Sequence, residues 1–287
     1  MSGRVPDAQA HDSRHCALGE GAFWHPERQQ FFWFDILNRR LLSRLGDQPL
    51  EWRFAQMASA AGWVDRDRLM VATETGLLLL DLQTGLSTPL IDVEADRPET
   101  RSNDGRADRQ GGFWFSTMGK SAQTGAGSIY RYYRGRVTQL HKDISIPNAI
   151  CFSPDGRTAH FADTARGLVW RQPLDAEGWP TAVPVVYLDL TAEGLNPDGA
   201  VIDAEGGFWC AKWGDGSVMR YAPDGTRLQR VAVGGVHASC PAFGGAALDQ
   251  MLVTTALQGL EDPDAAQGLP YLLVPGVRGL PEPRVIL

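Results

Sequence analysis

Residues 148–163 read NAICFSPDGRTAHFAD and residues 198–213 read DGAVIDAEGGFWCAKW. Each opens on a polar residue, runs through a short apolar stretch, turns at an acidic residue with glycine, and ends on a second apolar stretch. Two short apolar runs separated by so tight a turn are the pattern of a β-hairpin. The same sixteen-residue design starts at Glu20 (EGAFWHPERQQFFWFD), Ser59 (SAAGWVDRDRLMVATE), Asn103 (NDGRADRQGGFWFSTM) and Cys240 (CPAFGGAALDQMLVTT). Successive starts lie 39, 44, 45, 50 and 42 residues apart. A period of roughly 40–50 residues with strand-rich units marks a β-propeller. The expectation is an all-β fold, a six-bladed β-propeller of four-stranded antiparallel blades. One domain is expected over 13–287 after an N-terminal tail at 1–12, with the final LPEPRVIL a tail or closing strand.

Composition agrees. The 287 residues include 32 glycines and 18 prolines, and no amphipathic helical pattern of twelve or more residues stands out. A formal charge of -7 argues against nucleic-acid or membrane-surface partners, which call for basic patches. No run of eighteen apolar residues is present for a transmembrane helix, and the first twenty residues lack the apolar core of a signal peptide. Cys16, Cys151, Cys210 and Cys240 are scattered without a CxxC pair. They read as reduced thiols of a cytoplasmic protein.

The repeat register also predicts a site. The first strand of each propeller blade lines the central channel, so the first residue of each repeat stands near the channel mouth. Those residues are Glu20, Ser59, Asn103, Asn148, Asp198 and Cys240. Four of the six carry carboxylate or amide oxygens. Carboxylates brought together out of water need a neutralising partner, and an oxygen-only donor set suits a hard divalent cation. The competing reading is that such residues cap strand ends and make turns. It serves well for any one position and poorly for all four together. Cys240 has no protease-like histidine partner and is expected to line the pocket.

The stretches GEGAFWHPE, RSNDG…DRQGGFWFSTMG, PNAICFSPDG, NPDGAVIDAEGGFW and CPAFGG, in this order over roughly residues 16 to 257, resemble the gluconolactonase, regucalcin and luciferin-regenerating-enzyme family. The resemblance implies a six-bladed propeller with one divalent cation held by Glu20, Asn148 and Asp198. Ca²⁺ is the first expectation, with Zn²⁺, Mn²⁺ or Mg²⁺ as alternatives. It also implies substrate recognition by Arg101 and Asn103, with Asp198 as general base. Many members carry an acidic residue just after GTM; here the stretch is STMGKSAQTGAGS, with Lys120 and no acid nearby in sequence. Lys120 therefore joins the expected substrate contacts, and a substrate bearing a carboxylate would suit it together with Arg101.

The activity implied is metal-dependent hydrolysis of an aldono- or aldarolactone to the free sugar acid, by a monomer or weak homodimer. The alternatives are a broad metal-dependent esterase or organophosphatase, and a non-enzymatic calcium-binding propeller. Other features reduce to structure. MGKS lacks the upstream glycine of a phosphate-binding loop, since Trp114 stands there. Asp104 is expected to cap a turn, and His25 to sit in a hairpin away from the channel mouth. Trp213 and His237 stand in top-face positions, and the loop 257–270 is a partial lid.

Overall fold

Glycine-marked turns and apolar runs fold into antiparallel strands that run up and down through the whole chain. The computed structural model describes residues 8–287, and no α-helix occurs among them. Four separate sheets hold four strands each, and their first strands are Gly19–His25, Ala58–Trp63, Thr100–Ala107 and Pro147–Phe152. The remaining strands join into one eight-stranded sheet. One part of it runs from Asn196–Ile202 to Arg227–Ala232, the other from His237–Gly244 to Tyr271–Leu273.

Six separate sheets therefore do not form. The reason is local: Trp213, at the end of one second strand, pairs with His237 at the start of the next first strand. That single pair fuses two four-strand units that otherwise follow the repeat.

Packing runs around a ring. Each first strand packs against first strands of neighbouring units, and burial falls from these strands, which are almost wholly buried, to largely exposed outer strands such as Gln48–Arg53 and Arg227–Ala232. Apolar clusters fill the spaces between successive units. Phe23, Phe32 and Phe34 meet Leu69 and Val71, and Trp114 and Ile129 meet Ile150 and Phe161. Trp24, Phe31 and Trp33 of the first unit meet Ala242 and Leu252 of the last. This last contact closes the ring, and the architecture is all-β and propeller-like. Fully burying each such side chain stabilises by about 1.5–3 kcal/mol, which is why aromatic and aliphatic residues fill the first two strands of every repeat.

Both chain ends differ from expectation. Gln9–Ala10, placed in the tail by sequence, is a strand paired with Tyr271–Leu273; residues 1–7 of that tail lie outside the described residues. The C-terminal segment is neither tail nor strand. It crosses the first-hairpin turns of several units: Ala204 N–H donates to the Arg278 carbonyl, Gly279 N–H to Leu248, Val285 N–H to Trp63 and Ile286 N–H to Gly111.

One buried group makes the fold acid-sensitive. His160 is 6% exposed, its ring lies 5.2 Å from that of Tyr187 and 5.3 Å from that of Phe208, and its Nδ1 has no partner among the described residues. Burial, reinforced by Arg171, pushes its pKa down to about 3. A histidine depressed in the folded state takes up its proton preferentially on unfolding. Stability is thus full above the ordinary value near 6.5 and falls as pH drops from there toward 3, by up to about 1.4 kcal/mol per pH unit. Urea unfolding of wild type and His160→Phe at pH 7.5 and 4.5 checks this. The wild type is expected to lose about 2–3 kcal/mol more than the variant; equal losses would contradict it.

Candidate functional site

All six first strands share an irregularity at the same point. Pairing with the second strand shifts register between Glu20 and Phe23, Ala58 and Ala60, Ser102 and Gly105, Asn148 and Cys151, Pro197 and Ala200, and Ala238 and Pro241. A bulge inserts a residue and re-aims its neighbours. Two bulges include left-handed backbone, at Gly21 (φ 55°) and Ala149 (φ 57°). A side chain at Gly21 would in addition overlap the Ser59 carbonyl oxygen.

A cavity of about 580 Å³ opens where these bulged strands begin. Glu20, Arg101, Asn103, Lys120, Asn148 and Asp198 all line it, so every residue expected at the site meets in one place. The two other axis positions do not reach it. Ser59 is buried and donates to Ser102 Oγ at 2.8 Å. Cys240, expected to line the pocket, is buried instead, its Cβ facing the backbone of Gly199 in the neighbouring strand. All four cysteines are free and buried.

Electrostatically the cavity wall is unsettled as it stands. Glu20 and Asp198 are 8% and 3% exposed. Burial raises both carboxyls well above the ordinary range; Asp104 adds to the effect on Glu20, and Glu20 and Asp104 add to it on Asp198. Neither makes an ion pair among the described residues. Arg101 is also buried and also lacks one; burial lowers its pKa, while Glu20, Asp198 and Glu74 oppose that shift. Asp104 has a different occupation: its carboxylate accepts from Ile150 N–H at 2.7 Å and Gly105 N–H at 2.9 Å. It ties two first strands together and does not line the cavity.

Arg101 and the neutral residues beside it form a continuous network. Arg101 Nη1 donates to Asn103 Oδ1 at 2.8 Å, and Asn103 Nδ2 donates to the Pro147 carbonyl at 2.9 Å and to Asn148 Oδ1 at 3.1 Å. Asn148 Nδ2 donates to Thr164 Oγ1 at 2.8 Å.

Several lining residues escape sequence reasoning. Thr164, Met118 and Ile146 contribute to the wall without being singled out by the sequence, while Gln258 and Gly259 belong to the 257–270 loop expected on the top face. Lys120 differs from expectation: its Nζ lies 2.6 Å from Glu74 Oε1. The acid absent from its own stretch is supplied by the neighbouring sheet. Trp213 and His237 also line the cavity, with rings stacked 4.2 Å apart at 12°.

Three carbonyl or carboxylate donors, Glu20, Asn148 and Asp198, are the set available to a hard cation. Among the described residues no group of three His, Cys, Asp or Glu gathers as a metal site; here one donor is an amide. No helix is long and apolar enough to cross a membrane.

Comparison with known proteins decides the family. The pattern described as the SMP-30/Gluconolactonase/LRE-like region matches residues 18–257. The chain belongs to this family. The family's similarity extends to solved structures. A calcium-binding protein, regucalcin, from Agrobacterium tumefaciens str. C58 is 40% identical, with a TM-score of 0.95 over 99% of this chain and 98% of that one. An L-arabinolactonase of Azospirillum brasilense is 34% identical over 88% of this chain and 84% of its own. A 6-deoxy-6-sulfogluconolactonase of Pseudomonas putida is 30% identical over 83% of each.

Proposed function

We propose that this family member hydrolyses a sugar lactone of the aldono- or aldarolactone class, with one divalent cation held by Glu20, Asn148 and Asp198. On this reading the eight-stranded sheet works as two blades hinged at the Trp213–His237 pair, giving six blades around one channel. The observation that carries the proposal is the pair of buried carboxylates, both raised in pKa first by burial and then by neighbouring carboxylates (Asp104 on Glu20, Glu20 and Asp104 on Asp198), facing a cavity beside an amide oxygen. Buried carboxylates without a counter-charge are costly, so the donor set fits a hard cation, Ca²⁺ first. The lactonase names of relatives at 30–34% identity support the substrate class.

A cation bound there would supply Lewis-acid polarisation of the lactone carbonyl. Asp198 takes a proton from the attacking water and returns it to the ring oxygen as the C–O bond breaks, so that lactone plus water gives the hydroxy acid. Arg101, with its guanidinium fork only partly used by Ser102 O and Asn103 Oδ1, holds substrate oxygens. Asn103 offers both donor and acceptor to sugar hydroxyls. The stacked Trp213 and His237 form one side of the cavity wall.

Turnover of aldono- and aldarolactones, measured with Ca²⁺, Mg²⁺, Mn²⁺ or Zn²⁺ and with EDTA, tests the proposal. Hydrolysis abolished by EDTA and restored by a cation is expected. Cation-dependent thermal unfolding without hydrolysis of any lactone would favour a calcium-binding protein, the description attached to the regucalcin relative.

Lys120 sets a preference within the class. With a divalent cation bound, two arginine and lysine charges and the cation outweigh Glu20, Asp198 and Glu74, so a substrate bearing an acid group is favoured. The relative whose named substrate carries a sulfo group is compatible with this. Lys120→Met is expected to raise KM for acid-bearing lactones by about tenfold, the worth of one charge-assisted hydrogen bond, and to leave neutral lactones within about twofold. Equal changes for both classes would remove Lys120 from substrate recognition.

A further inference from the structure

The orientation of the Asn148 side chain is decided outside the residues assigned so far. An asparagine amide has two ends of similar shape, and only its oxygen can face a cation. Which end faces where is settled by neighbours whose hydrogen-bonding roles cannot be exchanged. Thr164 Oγ1 lies 2.6 Å from the Pro197 carbonyl oxygen, which can only accept. The single hydroxyl proton is therefore spent on Pro197, and a lone pair of Oγ1 faces Asn148. That lone pair calls for the NH₂ end of the amide, found at 2.8 Å. At the far end of the network the Arg101 guanidinium can only donate, so Asn103 receives it through Oδ1 and turns its own Nδ2 toward Asn148 Oδ1. The sequence of donors runs one way, from Arg101 through Asn103, Asn148 and Thr164 to Pro197, the residue before Asp198.

Thr164 is itself held rigidly. Its N–H donates to the Ile146 carbonyl at 3.0 Å, and it opens the single 3₁₀ turn Thr164–Arg166. Asp163 caps that turn by accepting from Ala165 N–H, and Gly167 ends it in left-handed backbone. Asp163 also accepts from Ser145 and Ile146 N–H, which anchors the turn to the loop leading into Asn148. A fixed turn supplies a fixed hydroxyl.

We infer that Thr164 is a positioning residue: by donating to Pro197 O and accepting from Asn148 Nδ2, it holds the Asn148 amide with Oδ1 toward Asn103 and the cavity. One lone pair of Oδ1 is taken by Asn103, and the other is left for a cation. The consequence for cation binding rests on the proposed site; the orientation of the amide does not. Outer partners that orient ligands are worth about 10- to 100-fold in metal affinity.

Two measurements on Thr164→Val and Thr164→Ser separate these. In cation-free protein, the Asn148 side-chain amide signals in a ¹⁵N–¹H spectrum, assigned by their loss in Asn148→Asp, report the hydrogen bond to Thr164. Wild type and Thr164→Ser are expected to share one position and slow solvent exchange, and Thr164→Val to shift and exchange faster. Unchanged signals in Thr164→Val would overturn the inference whatever the protein binds. In calorimetric titration with Ca²⁺ or Mn²⁺, Thr164→Val is expected to bind about 10- to 100-fold more weakly and Thr164→Ser within about threefold of wild type. Wild-type affinity in Thr164→Val would overturn its role in cation binding. Failure of the wild type to bind either cation would sink the cation site itself, with the orientation still decided by the spectra. Melting in EDTA within about 2 °C of wild type is expected for both variants, because the hydroxyl is half-buried and Val keeps its shape.

Discussion

Asp198→Asn is expected to lower kcat for lactone hydrolysis by about 10²- to 10⁴-fold, the range for losing a positioned general base. The substitution keeps the size of the side chain and one oxygen that can face a cation, and removes the basicity. Asp198 is 3% exposed, and burial, then Glu20, Asp104 and Cys210, hold its pKa well above the ordinary range. No other carboxylate in the cavity wall is free to replace it except Glu20, which stands on a different strand. KM is expected to stay within about threefold, since Arg101 and Asn103 hold the substrate and are untouched, so the loss falls on kcat. Cation affinity measured by calorimetry separates the two roles given to Asp198. A variant that binds cation and has lost turnover supports the base. One that binds cation and turns over at the wild-type rate removes Asp198 from proton transfer.

The placement of Asp198 was readable because the repeat marks a position in the N-terminal part of each first strand. Glu20, Asn103, Asn148 and Asp198 share that register and all reach the cavity. The same rule misplaced Cys240, and the bulges explain why. A register count fixes a residue's place along its strand, whereas the bulge at that place decides where its side chain points. Ala149 illustrates the limit: an alanine at φ 57° announces nothing in a sequence, because left-handed backbone is expected at glycine or asparagine.

Residues that enter from later positions in a unit were invisible for a different reason. Thr164 follows the second strand, and Glu74 meets Lys120 from another sheet; both depend on how sheets stand beside one another. Sequence periodicity carries the strand pattern but not the contacts between units. The same holds for the Trp213–His237 pair, which merges two units the repeat keeps apart. Gln9–Ala10 completes an outer edge with only two residues, too short for any alternation of apolar and polar side chains to register.

At the opposite end of the ring, Glu282→Ala is expected to destabilise the fold by about 3–5 kcal/mol, the cost of stripping a buried charge of its partner. Arg106 stands on the same first strand as Arg101 and Asn103, is 7% exposed, and pairs with Glu282 Oε1 at 2.7 Å. Burial opposes its charge, and Glu282 overrides that and holds its pKa above the ordinary value. Glu282 is fixed in turn through its carbonyl, which accepts from Trp63 Nε1 at 2.9 Å. Val285, wholly buried, lies where Gly62 leaves room for it. In this ring the C-terminal segment thus supplies a counter-charge that no neighbouring unit offers. A chain of this size shifts its melting temperature by roughly 2–4 °C per kcal/mol, so a drop on the order of 10 °C is expected for Glu282→Ala. Arg106→Met combined with Glu282→Leu removes both charges and is expected to recover most of that loss, because an apolar pair of similar volume replaces a buried ion pair at little cost. The cavity residues are not touched by either change, so kcat and KM should stay at wild-type values below the melting range. A Glu282→Ala protein that melts within about 2 °C of wild type would mean that water, rather than the C-terminal segment, neutralises Arg106.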